Sequence, residues 1–149
     1  MISGMRVPGI YTLVLRLDLP QEIAVGSLGI LSFPAGFYSY TGSARGPGGL
    51  KRIDRHLQIM QGIRSARRWH IDYLLPYARL QEVFVTRTGR DLECRIAGAI
   101  AKRLAPVRGF GCTDCRCHSH LHYSPDLQEM LDAVSLAHLS SQGVRESIE

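Results

Sequence analysis

A chain of 149 residues, 45% of them hydrophobic, is long enough to bury a core and too mixed in composition for a disordered segment. No stretch approaches the roughly 18–20 consecutive apolar residues of a membrane span, so no membrane association is expected. The net charge of +5 and isoelectric point near 9.3 favour polyanionic partners, because each neutralised phosphate releases counterions.

The first residues, Met1 to Arg6, lack the apolar core of a secretory signal, which makes the cytoplasm the expected location. Gly9 to Leu17 alternates as a strand, with Tyr11, Leu13, Leu15 and Leu17 on one face. Ile23–Val25 and Ile30–Phe33 are short strands punctuated by Gly26 and Gly29, and Gly36 to Gly42 is a further, aromatic-rich strand. A glycine-rich loop, Gly42 to Gly49, leads into a helix from Leu50 to about Gly62. Its core stripe is Leu50, Ile53, Leu57 and Met60, with Arg52 and His56 four apart on one flank of that stripe.

Arg64, Arg67 and Arg68 form the densest basic patch, readable as a solvated helix end or as a phosphate-contacting surface. Trp69 to Leu75 is apolar and ambiguous between helix and strand. Within it, Trp69 fits a core position or a platform for a base. His70 and Asp72 are candidate accessory residues, with an Asp72–arginine pair as the structural alternative. Glu82 to Thr88 reads as a strand. Asp91 to about Leu104 reads as a helix capped by Asp91, its apolar face made by Leu92, Ile96, Ala97, Ile100 and Leu104. Glu93 falls in the middle of that face. An ionised carboxylate there needs compensation: the helix dipole, an ion pair with an arginine, or a divalent cation.

Gly109 to Tyr123 is a Cys/His-rich loop carrying Cys112, Asp114, Cys115, Cys117, His120 and His122. Three cysteines so close together do not make a disulfide framework and suit a reducing compartment. The segment reads as a Zn²⁺ cluster, as packed structural residues, or as one wall of a catalytic cleft. Ser124-Pro125 opens a last helix to about His138, with Leu127, Met130, Leu131 and Val134 packing onto the chain's own core. The polar tail 140–149 is expected to fray. The element order predicts one α/β (α+β) domain over residues 1–139, with a small antiparallel sheet of three or more strands flanked by helices.

Gly9-Ile10-Tyr11 on a strand, Tyr40-Thr41-Gly42 ending another, Leu50-x-Arg52 with His56, and Glu93 on a later helix together resemble the pattern of the GIY-YIG endonucleases. Longer strings are similar to the GIY-YIG-related group catalogued as domain of unknown function 123. They are Tyr38 to Ala44, Arg52-x-x-Arg55-His56, Trp69 to Leu75, and Gly109 to Leu121, so the resemblance spans residues 9–123. It implies metal-dependent hydrolysis or nicking of nucleic-acid phosphodiesters, DNA favoured, with one Mg²⁺ or Mn²⁺. Tyr11 would be the base or the positioner of the attacking water, and Tyr40 would hydrogen-bond in the same site. Arg52 would support the scissile phosphate, His56 would assist proton transfer, and Glu93 would hold the metal. Gly9, Gly42, Ser43, Arg67 and Arg68 would bind substrate.

The chain departs from this pattern in two ways. It contains no asparagine, where most GIY-YIG nucleases carry one late in the site; Asp114, Thr113 and Ser119 are candidate substitutes, as is His120 if it faces Glu93. Tyr11 and Tyr40 are also widely separated, with the segment from Ile23 to Phe33 reading as an inserted hairpin that shapes or blocks the groove. The rival expectations are a non-catalytic nucleic-acid-binding module on the same scaffold and a zinc-stabilised interaction domain. No segment reads as a separate specificity domain, so a partner protein that supplies specificity is a further expectation.

Overall fold

A computed structural model describes residues 6–111 and 119–142. In chain order the elements are β1 (Gly9–Leu17), β2 (Gln21–Ala24), β3 (Ile30–Phe33), β4 (Gly36–Ser43), α1 (Arg52–Met60), α2 (His70–Leu74), β5 (Arg79–Arg87), α3 (Glu93–Ala101), β6 (Ala105–Pro106), β7 (Leu121–Ser124) and α4 (Leu127–Gln142). Five strands form one antiparallel sheet in the order β5-β1-β4-β7-β6, and β2 and β3 pair as a separate hairpin. This is the α+β architecture expected from the pattern of apolar residues. None of the helices, over the described residues, is long and apolar enough to cross a membrane.

β1, paired on its two edges by β5 and β4, is buried on both faces because a core packs against each side of the sheet. Tyr11, Leu13, Leu15 and Leu17 face a core shared with Leu50, Ile53, Ile59, Ile71 and Leu74 and with Ile23 and Phe33 of the hairpin. Ile10 and Val14 face a second core built by Ile96 and Ile100 of α3 and Met130, Val134 and Ala137 of α4. Inside that second core a polar cluster is closed on itself. Thr12 Oγ1 bonds Thr41 Oγ1 (2.9 Å) and His138 Nε2 (2.8 Å), and His138 Nδ1 bonds Thr86 Oγ1 (2.8 Å).

Several boundaries differ from the sequence expectation for identifiable reasons. The first helix begins only at Arg52, after a 3-10 turn over Gly49–Lys51, and its buried face is Ile53, His56 and Ile59. His56 therefore occupies a core position instead of flanking one, while Leu57 and Met60 are half-buried. Asp91 is not the cap of α3, since Leu92 holds that position; the Asp91 carboxylate lies 3.6 Å from Arg45. The ambiguous segment after Trp69 is helical. The Asp72 carboxylate accepts hydrogen bonds from the backbone N–H groups of Arg68 and Trp69, which would otherwise be orphaned at the helix start. α4 runs on to Gln142, past the expected start of the tail, because Ala137, His138 and Ser141 are buried.

Candidate functional site

Tyr11 and Tyr40 stand on one face of neighbouring strands, Tyr11 opposite Gly42 and Tyr40 opposite Leu13 in the register. Gly42 makes room for the phenol: a Cβ there would lie 2.5 Å from Tyr11 Oη. Gly9 has a similar packing duty, since a Cβ would lie 2.9 Å from the Thr86 carbonyl oxygen. Neither glycine lines the cleft, so the expectation that they admit a phosphate gives way to steric reasons inside the fold.

Pairing of β4 with β7 stops at Tyr40, after which Thr41 N–H donates to the His120 carbonyl. Beyond this point the two sides of the sheet open onto a cleft of about 330 Å³. Tyr11, Tyr40 and Ser43 line it from the sheet, Arg52 from α1, and Arg68, Trp69 and His70 from the start of α2. Asp91, Glu93 and Cys94 line it from the start of α3, and Gly111 and His120 complete it. No residue of the β2–β3 hairpin lines the cleft; the hairpin covers the core on the α1 side and neither shapes nor blocks the groove.

Tyr11 Oη and His56 Nε2 share a hydrogen bond of 2.6 Å. Both groups are almost wholly buried, and His56 Nδ1 has no partner among the described residues. Burial is the main reason the His56 pKa falls to about 3; the charges of Arg55 and Arg52 add to it and Asp72 opposes them. Burial, reinforced by Tyr40, likewise raises the Tyr11 phenol well above 10. At neutral pH this is a pair of uncharged groups joined by one short hydrogen bond.

Arg52 is aimed by two contacts: Nη1 donates to the Ser43 carbonyl at 2.7 Å, and the guanidinium carbon lies 4.9 Å from the centre of the Trp69 ring. Arg55 and Arg68 also approach Trp69, at 4.1 and 5.6 Å, so the single tryptophan organises three cations. Asp72 does not reach the cleft. It is fully buried, forked to Arg55 through two 2.9 Å bonds and accepting two backbone N–H groups, so its carboxylate serves the fold. Arg67 turns back onto the carbonyls of Ser65 and Ala66 and does not line the cleft, unlike Arg68.

His70 Nδ1 accepts the N–H of Gly111 at 2.8 Å. That bond fixes the neutral tautomer with its proton on Nε2, and burial lowers the pKa in the same direction. Gly111 sits at φ +78°, a conformation an L side chain rarely adopts.

Glu93 answers the puzzle of a carboxylate on an apolar face. Its Oε2 lies 3.2 Å from His120 Nδ1, so among the compensations open to it the neighbour is the histidine of the Cys/His segment and not an arginine. The two residues bring α3 and the end of the Cys/His segment together at the cleft. His122, two residues on, is fully buried, does not line the cleft and has no hydrogen-bond partner among the described residues. Cys112, Asp114, Cys115 and Cys117 lie outside the described residues. Within the described residues no group of three His, Cys, Asp or Glu side chains is arranged to hold a metal ion.

Of the residues singled out from sequence, the cleft gathers Tyr11, Tyr40, Ser43, Arg52, Arg68, His70, Glu93 and His120, with His56 directly behind Tyr11. Asp91 was missed as a cleft residue because a cap explained it; its spacing of two from Glu93 was the available signal.

The fold and site thus define an α+β chain with a polar, arginine-bearing cleft at one end of an antiparallel sheet. The sequence profile of the family described as "Domain of unknown function DUF123" matches residues 10–142, and the chain belongs to that family. No curated protein sequence and no solved structure matches it.

Proposed function

We propose that this chain is a metal-dependent nuclease of the GIY-YIG type that hydrolyses a nucleic-acid phosphodiester, DNA being the favoured substrate. The observation that carries the reading is the convergence of Tyr11, Tyr40, Arg52 and Glu93, from four separate stretches of sequence, on one cleft, with His56 bonded to Tyr11. These are the residues on which the resemblance rests.

The chemistry of the cleft is coherent with that role. Arg52, held from behind by Ser43 and Trp69, offers a fixed fork to the non-bridging oxygens of a phosphodiester and to the charge that develops on them. Arg68 adds positive charge at the same wall. His70, locked as an Nε2–H donor, offers one further neutral hydrogen bond.

A free phenolate is excluded as the base, because burial holds the Tyr11 pKa so high. A relay avoids it. As the water oxygen bonds to phosphorus and the bond to the leaving oxygen breaks, the water proton passes to Tyr11 Oη while the phenol proton moves to His56 Nε2, so Tyr11 stays neutral. The leaving oxygen takes a proton from solvent, and His56 then gives its proton back to solvent. Burial is the main brake on the basicity of His56, and the incoming phosphodiester offsets the smaller part that Arg55 and Arg52 add to it.

The residues also fit the divalent ion that the resemblance implies. Glu93 and Asp91 are hard oxygen donors that line the cleft, and the His120 ring, 3.2 Å from the Glu93 carboxylate, would orient it. Bound there, Mg²⁺ or Mn²⁺ would supply Lewis-acid polarisation of a phosphoryl oxygen.

Tyr11→Phe tests the relay. The variant is expected to bind labelled duplex DNA with wild-type affinity while cleavage slows by about 100-fold, the usual worth of a proton-transfer group. A defect confined to affinity would contradict the role.

A further inference from the structure

Cys94 sits in the first turn of α3, directly after Glu93, and is disulfide-bonded. It is half-buried and lines the cleft, so the bond is open to small solutes that enter there. The chain's other three cysteines, Cys112, Cys115 and Cys117, lie outside the described residues. Cys94 Sγ lies 3.8 Å from His120 Nε2, and His120 Nδ1 lies 3.2 Å from Glu93 Oε2. One imidazole thus stands between the sulfur of the bond and the carboxylate proposed to hold a divalent cation.

The start of α3 is otherwise weakly held. Leu92 at the N-cap offers no side-chain hydrogen bond, so the first N–H groups of the helix have no side-chain cap there. Asp91 lies 3.6 Å from Arg45 with both side chains exposed, a kind of pair that contributes little. Leu92 and Ile96 seat the helix in the second core, but apolar packing does not fix where the Glu93 carboxylate points. The covalent bond one residue after Glu93 is the firmest restraint on that turn. An exposed disulfide is also the kind that reduces readily, whereas structural ones resist.

We propose that the Cys94 disulfide is a redox switch on the cleft. With the bond closed, the first turn of α3 presents Glu93 to a divalent cation; with the bond reduced to two thiols, that turn loosens and cation binding weakens. The inference rests on the reading of Glu93 as the metal ligand. The reductant is a dithiol. Its thiolate attacks one sulfur of the bond and expels the other, which takes up a proton. The dithiol's second sulfur then displaces the mixed disulfide, so the dithiol leaves as its own disulfide and both cysteines of the chain leave as thiols. Two electrons and two protons pass from the dithiol to the chain.

The test uses the full chain in two states, one equilibrated with glutathione disulfide and one reduced with dithiothreitol and desalted without air. Peptide mapping is expected to find Cys94 cross-linked within the chain in the first state and free in the second. A Cys94 thiol that alkylates freely in the first state overturns the proposal. Calorimetric titration is expected to show Mn²⁺ affinity at least tenfold weaker in the reduced chain, with circular dichroism unchanged, and reoxidation is expected to restore it. Cys94→Ser is expected to bind Mn²⁺ as weakly as the reduced chain under both conditions; affinity equal to that of the oxidised chain overturns the proposal. A merely structural disulfide would lower the melting temperature on reduction without moving Mn²⁺ affinity, and that result overturns the switch while leaving Glu93 as a metal ligand. Loss of the helical signal on reduction overturns it too, since the bond would then hold the whole fold. No Mn²⁺ binding in either state overturns both the switch and the metal reading of Glu93.

Discussion

Gly42 and Tyr11 show how tightly single residues are matched in the cleft. The glycine hydrogen stands where any Cβ would overlap the phenol oxygen, so Gly42→Ala must push Tyr11 away from His56. Overpacking of this kind costs about 1–3 kcal/mol. We therefore expect Gly42→Ala to fold with modestly reduced stability and to lose most cleavage, measured by urea titration and by initial rates; wild-type rates would remove the Tyr11–His56 bond from the mechanism. That Tyr11, Arg52 and Glu93 share one cleft was legible in the sequence, because the resemblance rests on motifs that carry them on recognisable elements. Gly42 was legible as a motif residue but for the wrong reason, since a clash between atoms of two strands cannot be read along one strand. The partner of Glu93 was only conditionally visible: His120 lies on a different element, and its approach depends on how the chain returns to β7.

At the scale of elements, the cleft depends on how α1 and α2 are clamped together. Asp72 holds Arg55 of α1 with a two-pronged ion pair and caps the start of α2 with the same carboxylate, in a fully buried position. Asp72→Ala leaves the Arg55 charge without its partner, at a cost of about 3–5 kcal/mol. Chemical denaturation is the measurement, and a loss below 1 kcal/mol would mean that the pair is replaceable by water. The pair was visible in sequence only as the alternative to an accessory role for Asp72, because many arginines could have answered it. Strand content was read more surely than helix limits. The alternation of β1 is unambiguous, whereas α4 outruns its polar sequence because burial at Ala137, His138 and Ser141, contacts made across the fold, keeps the helix going.

Across the whole molecule, three buried histidines set a pH dependence. His56, His122 and His138 are neutral in the folded chain, with pKa values lowered mainly by burial to about 3, 4 and 4 from an ordinary 6.5. The sign follows from linkage. Above pH 6.5 neither the folded nor the unfolded chain protonates them, so stability is unaffected. Below it the unfolded chain takes up protons that the folded chain refuses, and stability falls as pH drops from 6.5 toward 4. The limiting slope is about 1.4 kcal/mol per pH unit for each histidine. Denaturant midpoints at pH 7, 6, 5 and 4 check this, and a flat profile would contradict neutral burial. Cleavage, by contrast, should show no acid limb from His56 over the range in which the protein stays folded.

The central claim is that the cleft cuts phosphodiesters with a metal held at Glu93. Its most direct test is nicking of supercoiled plasmid by wild type and Glu93→Ala, each with Mg²⁺, Mn²⁺ or EDTA, and with folding confirmed by circular dichroism. Nicking by wild type is expected with either metal, none with EDTA, and none by a folded Glu93→Ala. Equal nicking by the two proteins, or silence from a folded, DNA-binding wild type, would contradict it.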